Sequence, residues 1–128
     1  MKEPIWVPRE VVLATHDELL NRFGGLSGVR DEGLFESALQ QPQNLYSYGG
    51  SNLFGMAAAY ATGIIKNHPF LDGNKRIGFM TAYIFLGANG QGLEASEEEV
   101  VERTLALAAS AIDEAEYAAW LKRACKIA

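Results

Sequence analysis

The spacing of apolar residues is helical through most of the chain. In the first such segment the residues on the apolar face recur at intervals of four, three and four: Val12, His16, Leu19 and Phe23. Because a proline precedes this segment and two glycines follow it, the pattern predicts an amphipathic helix over residues 9–23. A second, short helix is expected to begin at a cap formed by Asp31 and to end at Pro42, where a loop of sequence QPQNLYSYGGS begins.

Two longer apolar segments follow. A third helix is predicted from about residue 52 to residue 67, with a wide apolar face that includes Ala57, Tyr60 and Ile64. A fourth is predicted from residue 74 to about residue 89, and it is apolar on nearly every side. This is typical of a helix that neighbours cover all round, so we expect it to be the central helix.

The C-terminal third adds two helices with N-terminal capping signals. Ser96 and Glu99 have the spacing of a capping box, and Asp113 and Glu116 repeat the arrangement in a variant form. Before them, the segment GLEA is expected to form a short strand that pairs with PIWV near the N-terminus. Since nearly every segment has helical period and no linker interrupts the chain, the predicted fold class is all-α, with a single domain over residues 1–128.

Composition narrows the function classes. With 128 residues, 48% of them hydrophobic, the chain can bury a core without disulfides or metals. Its net charge of −5 argues against a nucleic-acid-binding surface, and its single cysteine, Cys125, fits a packing residue in a reducing compartment. The N-terminus has no signal-peptide pattern, and no apolar run approaches the roughly 18 residues of a membrane span. A cytoplasmic protein without a membrane partner is therefore expected.

Much of the polar chemistry is concentrated in one turn, NHPFLDGNKRIGF at residues 67–79. Lys75 and Arg76 stand in the first turn of the predicted fourth helix, where the helix dipole disfavours cations by about 0.3–1 kcal/mol per charge. A bound anion would reverse this cost, because free backbone N–H groups, the dipole and both side chains would converge on it. The sequence therefore predicts a phosphate site at this turn.

The other residues of the turn fit such a site. Gly73 lets a phosphate approach the backbone, Arg76 can clamp it with two hydrogen bonds, and Lys75 supplies a mobile charge. Asp72 would repel a bare phosphate, so its presence is best explained by a Mg²⁺ ion between the two. His68 can then take the proton from an attacking hydroxyl group.

A simpler interpretation exists for each residue taken alone. Asp72 or Asn74 can be only a helix cap, His68 only a dipole partner at a helix end, and the two cations ordinary surface charges. This interpretation leaves the clustering of these residues unexplained. Phe70, pointing the other way, is expected to anchor the turn in the core.

The residues from His68 to Arg76, HPFLDGNKR, resemble the signature of the Fic/Doc superfamily in its Doc (death-on-curing) toxin form, H-x-F-x-[DN]-[AG]-N-K-R. The resemblance spans most of the chain. THDELLNRFGGLSGVRDEGLFESAL resembles the family's first helix, double-glycine turn and second helix, and IFLGANG resembles the end of its central helix. The resemblance implies a compact bundle of about six helices with a nucleotide site on the central helix.

Two departures distinguish this sequence from the motif of Fic enzymes, H-P-F-x-x-G-N-G-R-x-x-R, which transfer AMP. Lys75 replaces the second glycine of that motif and Phe79 replaces its second arginine, and both point away from AMP transfer. Doc toxins instead transfer the terminal phosphate of ATP to a threonine of elongation factor Tu, which arrests translation. The alternatives are AMP transfer and a catalytically silent binding module on the same scaffold.

By this resemblance His68 is the general base and Asp72 the Mg²⁺ ligand. The residues implied to hold the phosphates of ATP are Gly73, Asn74, Lys75 and Arg76. Met80 stands where some members of the family have a polar residue.

Four other residues have less specific signals. His16 matches a family feature, but a histidine on the apolar face of a helix is more typical of a hydrogen-bonded core residue. Lys66 can reach the phosphates or simply be solvated. Ser27 and Glu32 are similar to the inhibitory S/T-x-x-x-E-G/N segment of some Fic proteins, but four residues separate them, so the spacing is wrong. Inhibition is therefore expected from a separate antitoxin chain, Phd-like by the resemblance.

Overall fold

Six α-helices account for most of residues 2–127, the part of the chain that the computed structural model describes. The helices are α1 (Arg9–Phe23), α2 (Glu32–Tyr48), α3 (Leu53–Asn67), α4 (Asn74–Ala88), α5 (Glu97–Ala108) and α6 (Glu114–Ala124). Two short strands, β1 (Gln91–Leu93) and β2 (Cys125–Ile127), form an antiparallel pair. The predicted all-α bundle with a minor β pairing is confirmed. Within the described range no helix is both long enough and apolar enough to cross a membrane.

The core is built around α3 and α4. α3 packs against α2, α4, α5 and α6, and all of its residues from 56 to 61 are buried. α4 approaches it closely, since a Cβ atom on Gly78 would lie 2.8 Å from Cγ1 of Ile65. Tyr83 on α4 remains 44% exposed, so this helix is not covered on every side. α3 and α4 therefore share the centre of the bundle, and part of α4 is free to face a cleft.

The helix α2 is longer than the sequence predicts. Asp31 caps its N-terminus as expected, but the helix continues through Pro42 and ends at Tyr48. A proline inside a helix removes one backbone hydrogen bond and costs about 3 kcal/mol. Here Pro42 is buried, and Tyr46 beyond it packs edge-on against Trp6 with ring centroids 6.0 Å apart. The packing of Pro42 and Tyr46 offsets the local cost, so the predicted loop is helical as far as Tyr48.

The predicted pairing of GLEA with PIWV is wrong, because β1 pairs with β2 at the C-terminal end of the described chain. The N-terminal segment is held by side chains instead. Asn89 accepts a hydrogen bond from the N–H of Ile5 at 2.8 Å and donates one to its carbonyl at 2.9 Å. The N–H of Val7 donates to the Tyr60 hydroxyl at 3.1 Å. Cys125, in β2, is partly buried and packs against the core.

The capping signals of the last two helices differ in outcome. Asp113 and Glu116 form a full capping box at the start of α6. Ser96 accepts a hydrogen bond from the N–H of Glu99 at 3.1 Å, which is half of the predicted box. The Glu99 carboxylate accepts a bond from the Trp120 indole at 3.2 Å. This contact joins α5 to α6.

Candidate active site

The polar turn lies between the end of α3 and the start of α4. His68 is the C-cap of α3 and adopts a left-handed conformation, with φ 53° and ψ 53°, which is uncommon for a residue other than glycine. Its N–H donates to the carbonyl of Ile64 at 3.1 Å and so completes the last turn of the helix. The residue is exposed, and its side chain lines a cleft on the surface of the bundle.

The segment between α1 and α2 braces the turn from one side. The N–H groups of Arg30 and Asp31 both donate to the carbonyl of Pro69, at 2.6 and 3.1 Å. The N–H of Leu71 donates to the carbonyl of Gly28 at 3.1 Å. The Arg30 guanidinium donates to the carbonyls of His68, at 2.7 Å, and of the residue before it, at 3.0 Å. The position of the turn therefore depends on a segment about forty residues earlier in the chain.

His16 supports the turn from beneath. It is 2% exposed, and its ring stacks on Phe70 with centroids 4.0 Å apart and planes inclined by 19°. Its Nε2 lies 2.8 Å from the carbonyl oxygen of Asp72. A carbonyl oxygen only accepts, so Nε2 must carry a proton that it donates to Asp72. His16 is thus a hydrogen-bonded core residue, as its place on an apolar helix face suggests.

Phe70 is fully buried between His16 and Phe35, whose ring centroid lies 5.1 Å away. The side chain of Asn74 fixes its backbone. The N–H of Phe70 donates to Oδ1 of Asn74 at 3.0 Å, and Nδ2 of Asn74 donates to the carbonyl of Phe70 at 3.0 Å. Asn74 is itself 4% exposed, so its side chain shapes the turn from within.

Asp72 is exposed and faces the segment between α1 and α2. Its Oδ1 accepts from the N–H of Gly73 at 2.9 Å, and its Oδ2 accepts from the N–H of Leu26 at 3.3 Å. Gly25 is so close that a Cβ on it would lie 2.8 Å from Oδ2. Within residues 2–127 no cluster of three or more histidine, cysteine or acidic residues could hold a metal. A single carboxylate suits a Mg²⁺ ion that arrives on nucleotide phosphates, because such an ion takes one or two carboxylates and keeps several waters.

The first turn of α4 faces the same cleft. Gly73 is its N-cap in a left-handed conformation, φ 78° and ψ 16°, which glycine adopts without strain. The first N–H groups of the helix have no acceptor within the helix, so they are available to an anion. Lys75 and Arg76 are exposed and line the cleft. The guanidinium of Arg76 lies over the ring of Phe23, 4.3 Å from its centroid, and this cation–π contact orients it.

The cleft has a volume of about 720 Å³, which is within the roughly 300–1,000 Å³ of small-molecule sites. Its lining comprises Leu19, Phe23, Ile65, His68, Asp72, Gly73, Asn74, Lys75, Arg76, Phe79, Met80, Glu97, Val100, Val101, Thr104, Leu105 and Ala108. One side is therefore cationic and polar, and the side formed by α5 is mainly apolar. Phe79 and Met80, which replace polar residues of related motifs, both lie in this cleft.

Lys66 does not belong to the cleft lining. Its Nζ donates to the carbonyl of Ala108 at 3.2 Å and forms a short hydrogen bond with Ser110. Both acceptors lie at the C-terminal end of α5, where a cation is favoured by the helix dipole. Lys66 is exposed to solvent, as one of the two expectations has it, and its hydrogen bonds also tie the end of α3 to the end of α5.

Sequence reasoning missed the residues that hold the turn from a distance. Arg30 and Leu26 contact residues of the turn that lie 38 and 46 positions later in the chain, and no local pattern marks either contact. The α5 wall of the cleft was also missed. Its exposed apolar residues, Val101 and Leu105, look like part of an ordinary amphipathic face until α4 is placed beside them. The sequence predicts α5 as a capped amphipathic helix, but it does not predict that this helix forms a side of the cleft.

Comparison with known proteins identifies the family of the chain. The model of the Fic/DOC family matches residues 6–86. A protein of Escherichia phage P1 named "Protein kinase doc" is 35% identical over 82 residues, which cover 63% of this chain and 65% of that protein. A protein of Mycolicibacterium smegmatis named "Toxin Doc" is 40% identical over 75 residues, which cover 57% of this chain and 58% of that protein. Each match thus covers less than two thirds of the relative. Because the family model spans more than half of the chain and includes the whole turn, the chain belongs to the Fic/DOC family.

Proposed function

We propose that this protein is a Doc-type toxin that transfers the γ-phosphate of ATP to a hydroxyl group of a translation factor in the cytoplasm. Elongation factor Tu is the substrate that the family resemblance implies. The observation that carries the proposal is the convergence of His68 and the N-terminal turn of α4, with Lys75 and Arg76, on one cleft. The names of the two relatives, a protein kinase and a toxin, agree with it.

In the proposed reaction His68 accepts the proton of the attacking hydroxyl group. The hydroxyl oxygen forms a bond to the γ-phosphorus, and the bond from that phosphorus to the β–γ bridging oxygen breaks, which releases ADP. The free N–H groups of α4 and the Arg76 guanidinium stabilise the charge on the phosphates. Mg²⁺ bound with ATP would supply further charge neutralisation, and Asp72 would hold it. The contribution of the chain is positional and electrostatic.

Lys75 bears on which phosphorus meets His68. Its side chain enters the cleft where the Fic motif has a glycine, so the space that the phosphates of an AMP donor would use is reduced. We infer that ATP binds in the opposite direction, with its γ-phosphate beside His68. The position that carries the second arginine of the Fic motif is Phe79, which cannot bind a phosphate.

The direct test is incubation with purified elongation factor Tu and ATP labelled at either the α or the γ position. We expect transfer of the γ label only, and loss of transfer in His68→Ala and Asp72→Ala variants whose circular dichroism matches the wild type. Transfer of the α label would establish AMP transfer in its place. Transfer of neither label, together with growth arrest that His68→Ala and Asp72→Ala do not relieve, would favour a silent binding module.

We also propose that a cognate antitoxin, Phd-like by the resemblance, covers the apolar side of this cleft. Three apolar side chains of the lining are half exposed: Phe23 at 53%, Val101 at 52% and Leu105 at 50%. They lie beside the cationic turn, so a helix or extended segment with apolar and acidic residues would complement both parts. Such a segment would block access of ATP to His68.

Co-expression with the product of the adjacent reading frame tests this partner. We expect the two chains to purify together and growth to be restored. Leu105→Lys should weaken co-purification, because it places a charge on the apolar side of the cleft. Tyr48→Lys is the matched control, since Tyr48 is 83% exposed at the end of α2 and does not line the cleft. Equal binding by both variants would contradict the proposed docking surface.

A further inference from the structure

The C-terminal end of α3 leaves backbone carbonyl groups that need partners outside the helix. The last carbonyls of any α-helix have no intrahelical donor, and they form the negative end of the helix dipole. In α3 these groups lie directly before the site, and the chain turns there through the left-handed conformation of His68. What binds these carbonyls therefore also fixes the residue that faces the cleft.

Arg30 binds three consecutive carbonyls at this point. Its Nε donates to the carbonyl of His68 at 2.7 Å, its Nη2 donates to that of Asn67 at 3.0 Å, and its backbone N–H donates to that of Pro69 at 2.6 Å. The planar guanidinium presents its donors in a rigid fork, so it can join two adjacent carbonyls at once. A lysine ammonium has no such fixed geometry.

No carboxylate competes for this guanidinium. Within residues 2–127 the ion pairs are Arg9 with Glu32 and Arg22 with Glu18, and Arg30 joins neither. Its positive charge is therefore directed to the negative end of α3, where it is favoured by the helix dipole. Arg30 is also exposed, so a small molecule from solvent can reach the place that its side chain occupies.

We propose that Arg30 is a positioning residue for His68, an inference that rests on the proposed function because it assigns His68 the role of base. The carbonyl of His68 accepts a hydrogen bond from Arg30, and the same residue lines the cleft. A residue other than glycine readily leaves the left-handed conformation for a more common one when the contacts that restrain it are removed. Such a change at His68 rotates its imidazole away from the phosphate site.

Three variants test this assignment: Arg30→Ala, Arg30→Lys and, as a matched control, Arg123→Ala, which removes an exposed guanidinium from α6. For Arg30→Ala we expect kcat for γ transfer to fall by about 10²-fold, the scale of a misplaced reacting group, with little change in the KM for ATP. Arg30→Lys should be intermediate. Added guanidinium, at concentrations that leave the circular dichroism unchanged, should restore part of the rate in Arg30→Ala and none in His68→Ala.

A second measurement does not depend on activity. Amide hydrogen exchange, followed by NMR, reports the bond from the N–H of His68 to Ile64 and the bond from the N–H of Leu71 to Gly28. We expect both amides to exchange faster in Arg30→Ala, while the amide of the buried residue Phe85 exchanges as in the wild type. Faster exchange at all of these sites would indicate general loss of stability and would overturn a positioning role.

The two measurements separate this inference from the proposed function. If the wild type transfers no γ label but Arg30→Ala still loosens His68 and Leu71 alone, the positioning role stands and the proposed kinase activity falls. If the wild type is active, and Arg30→Ala keeps both its kcat and its exchange rate at His68, the inference is overturned while the proposed function remains.

Discussion

Asn74 and Phe70 hold each other through two reciprocal hydrogen bonds, each 3.0 Å long, between one side-chain amide and one backbone. The two bonds close the turn between α3 and α4, and both residues are buried. It places the exposed residues of the turn, His68 and Asp72, on the outside. The stability of the turn and the geometry of the site therefore depend on the same amide.

Asn74→Ala should reduce the free energy of unfolding by about 2–4 kcal/mol, because it leaves a buried donor and a buried acceptor of Phe70 without partners. Urea denaturation monitored by circular dichroism measures the change. Asn21→Ala, at an exposed position of α1, is the matched control and should change stability little. Equal stability of the two variants would contradict the role of Asn74 in closing the turn.

Gly24 and Gly25 offer a matched pair for testing Asp72. Both have positive φ, 80° and 122°, so an alanine at either position should cost about 1–2 kcal/mol of stability. Only at Gly25 does the new Cβ meet the Asp72 carboxylate, at 2.8 Å, whereas at Gly24 it meets nothing within 4 Å. We therefore expect Gly25→Ala to weaken γ transfer and its response to Mg²⁺, and Gly24→Ala to lower only the unfolding temperature. Similar loss of transfer in both variants would remove the evidence for contact with Asp72.

The two lysines near the turn should differ in function. Lys75→Met removes a cation from the cleft, so we expect γ transfer to fall by about 10²-fold with little change in stability. Lys66→Met removes the bonds to Ala108 and Ser110, so it should lower the free energy of unfolding by about 1–2 kcal/mol and leave transfer near the wild-type rate. Steady-state kinetics and denaturant unfolding on both variants measure these effects. A strong kinetic defect in Lys66→Met alone would reverse the assignment.

Burial raises the pKa of Tyr117 to about 12, although the hydrogen bond between its hydroxyl and that of Thr104 opposes the shift. In the unfolded chain a tyrosine loses its proton near pH 10, so between these values the folded state binds more protons. This contribution to stability is fully present below about pH 10 and is lost as pH rises towards 12. Tyr117→Phe should cost about 1 kcal/mol at pH 7 through the lost bond to Thr104, and the difference from wild type should narrow above pH 10. Urea unfolding across this pH range, with the exposed Tyr48→Phe as control, measures it; a constant difference would contradict the shift.

The sequence by itself determined the features that arise from nearest neighbours along the chain. Apolar spacing and capping side chains act within about one helical turn. They determine the bounds of α1, the extent of α3 and the caps at Asp31 and Asp113. The turn at residues 67–79 was likewise found by its local concentration of charged and polar residues. Its resemblance to the Fic/Doc signature indicates the family without any tertiary information.

The tertiary structure decided everything that depends on residues far apart in the chain. α2 passes through Pro42 because Tyr46 is packed against Trp6, and β1 pairs with the strand that follows α6. Lys66 donates a hydrogen bond to the end of α5, and Arg30 donates one to the carbonyl of His68, 38 positions later in the chain. Such contacts form when packed helices bring distant groups together. Their stabilisation exceeds the local conformational preference of the sequence. A sequence pattern within one helical turn therefore cannot predict these long-range contacts.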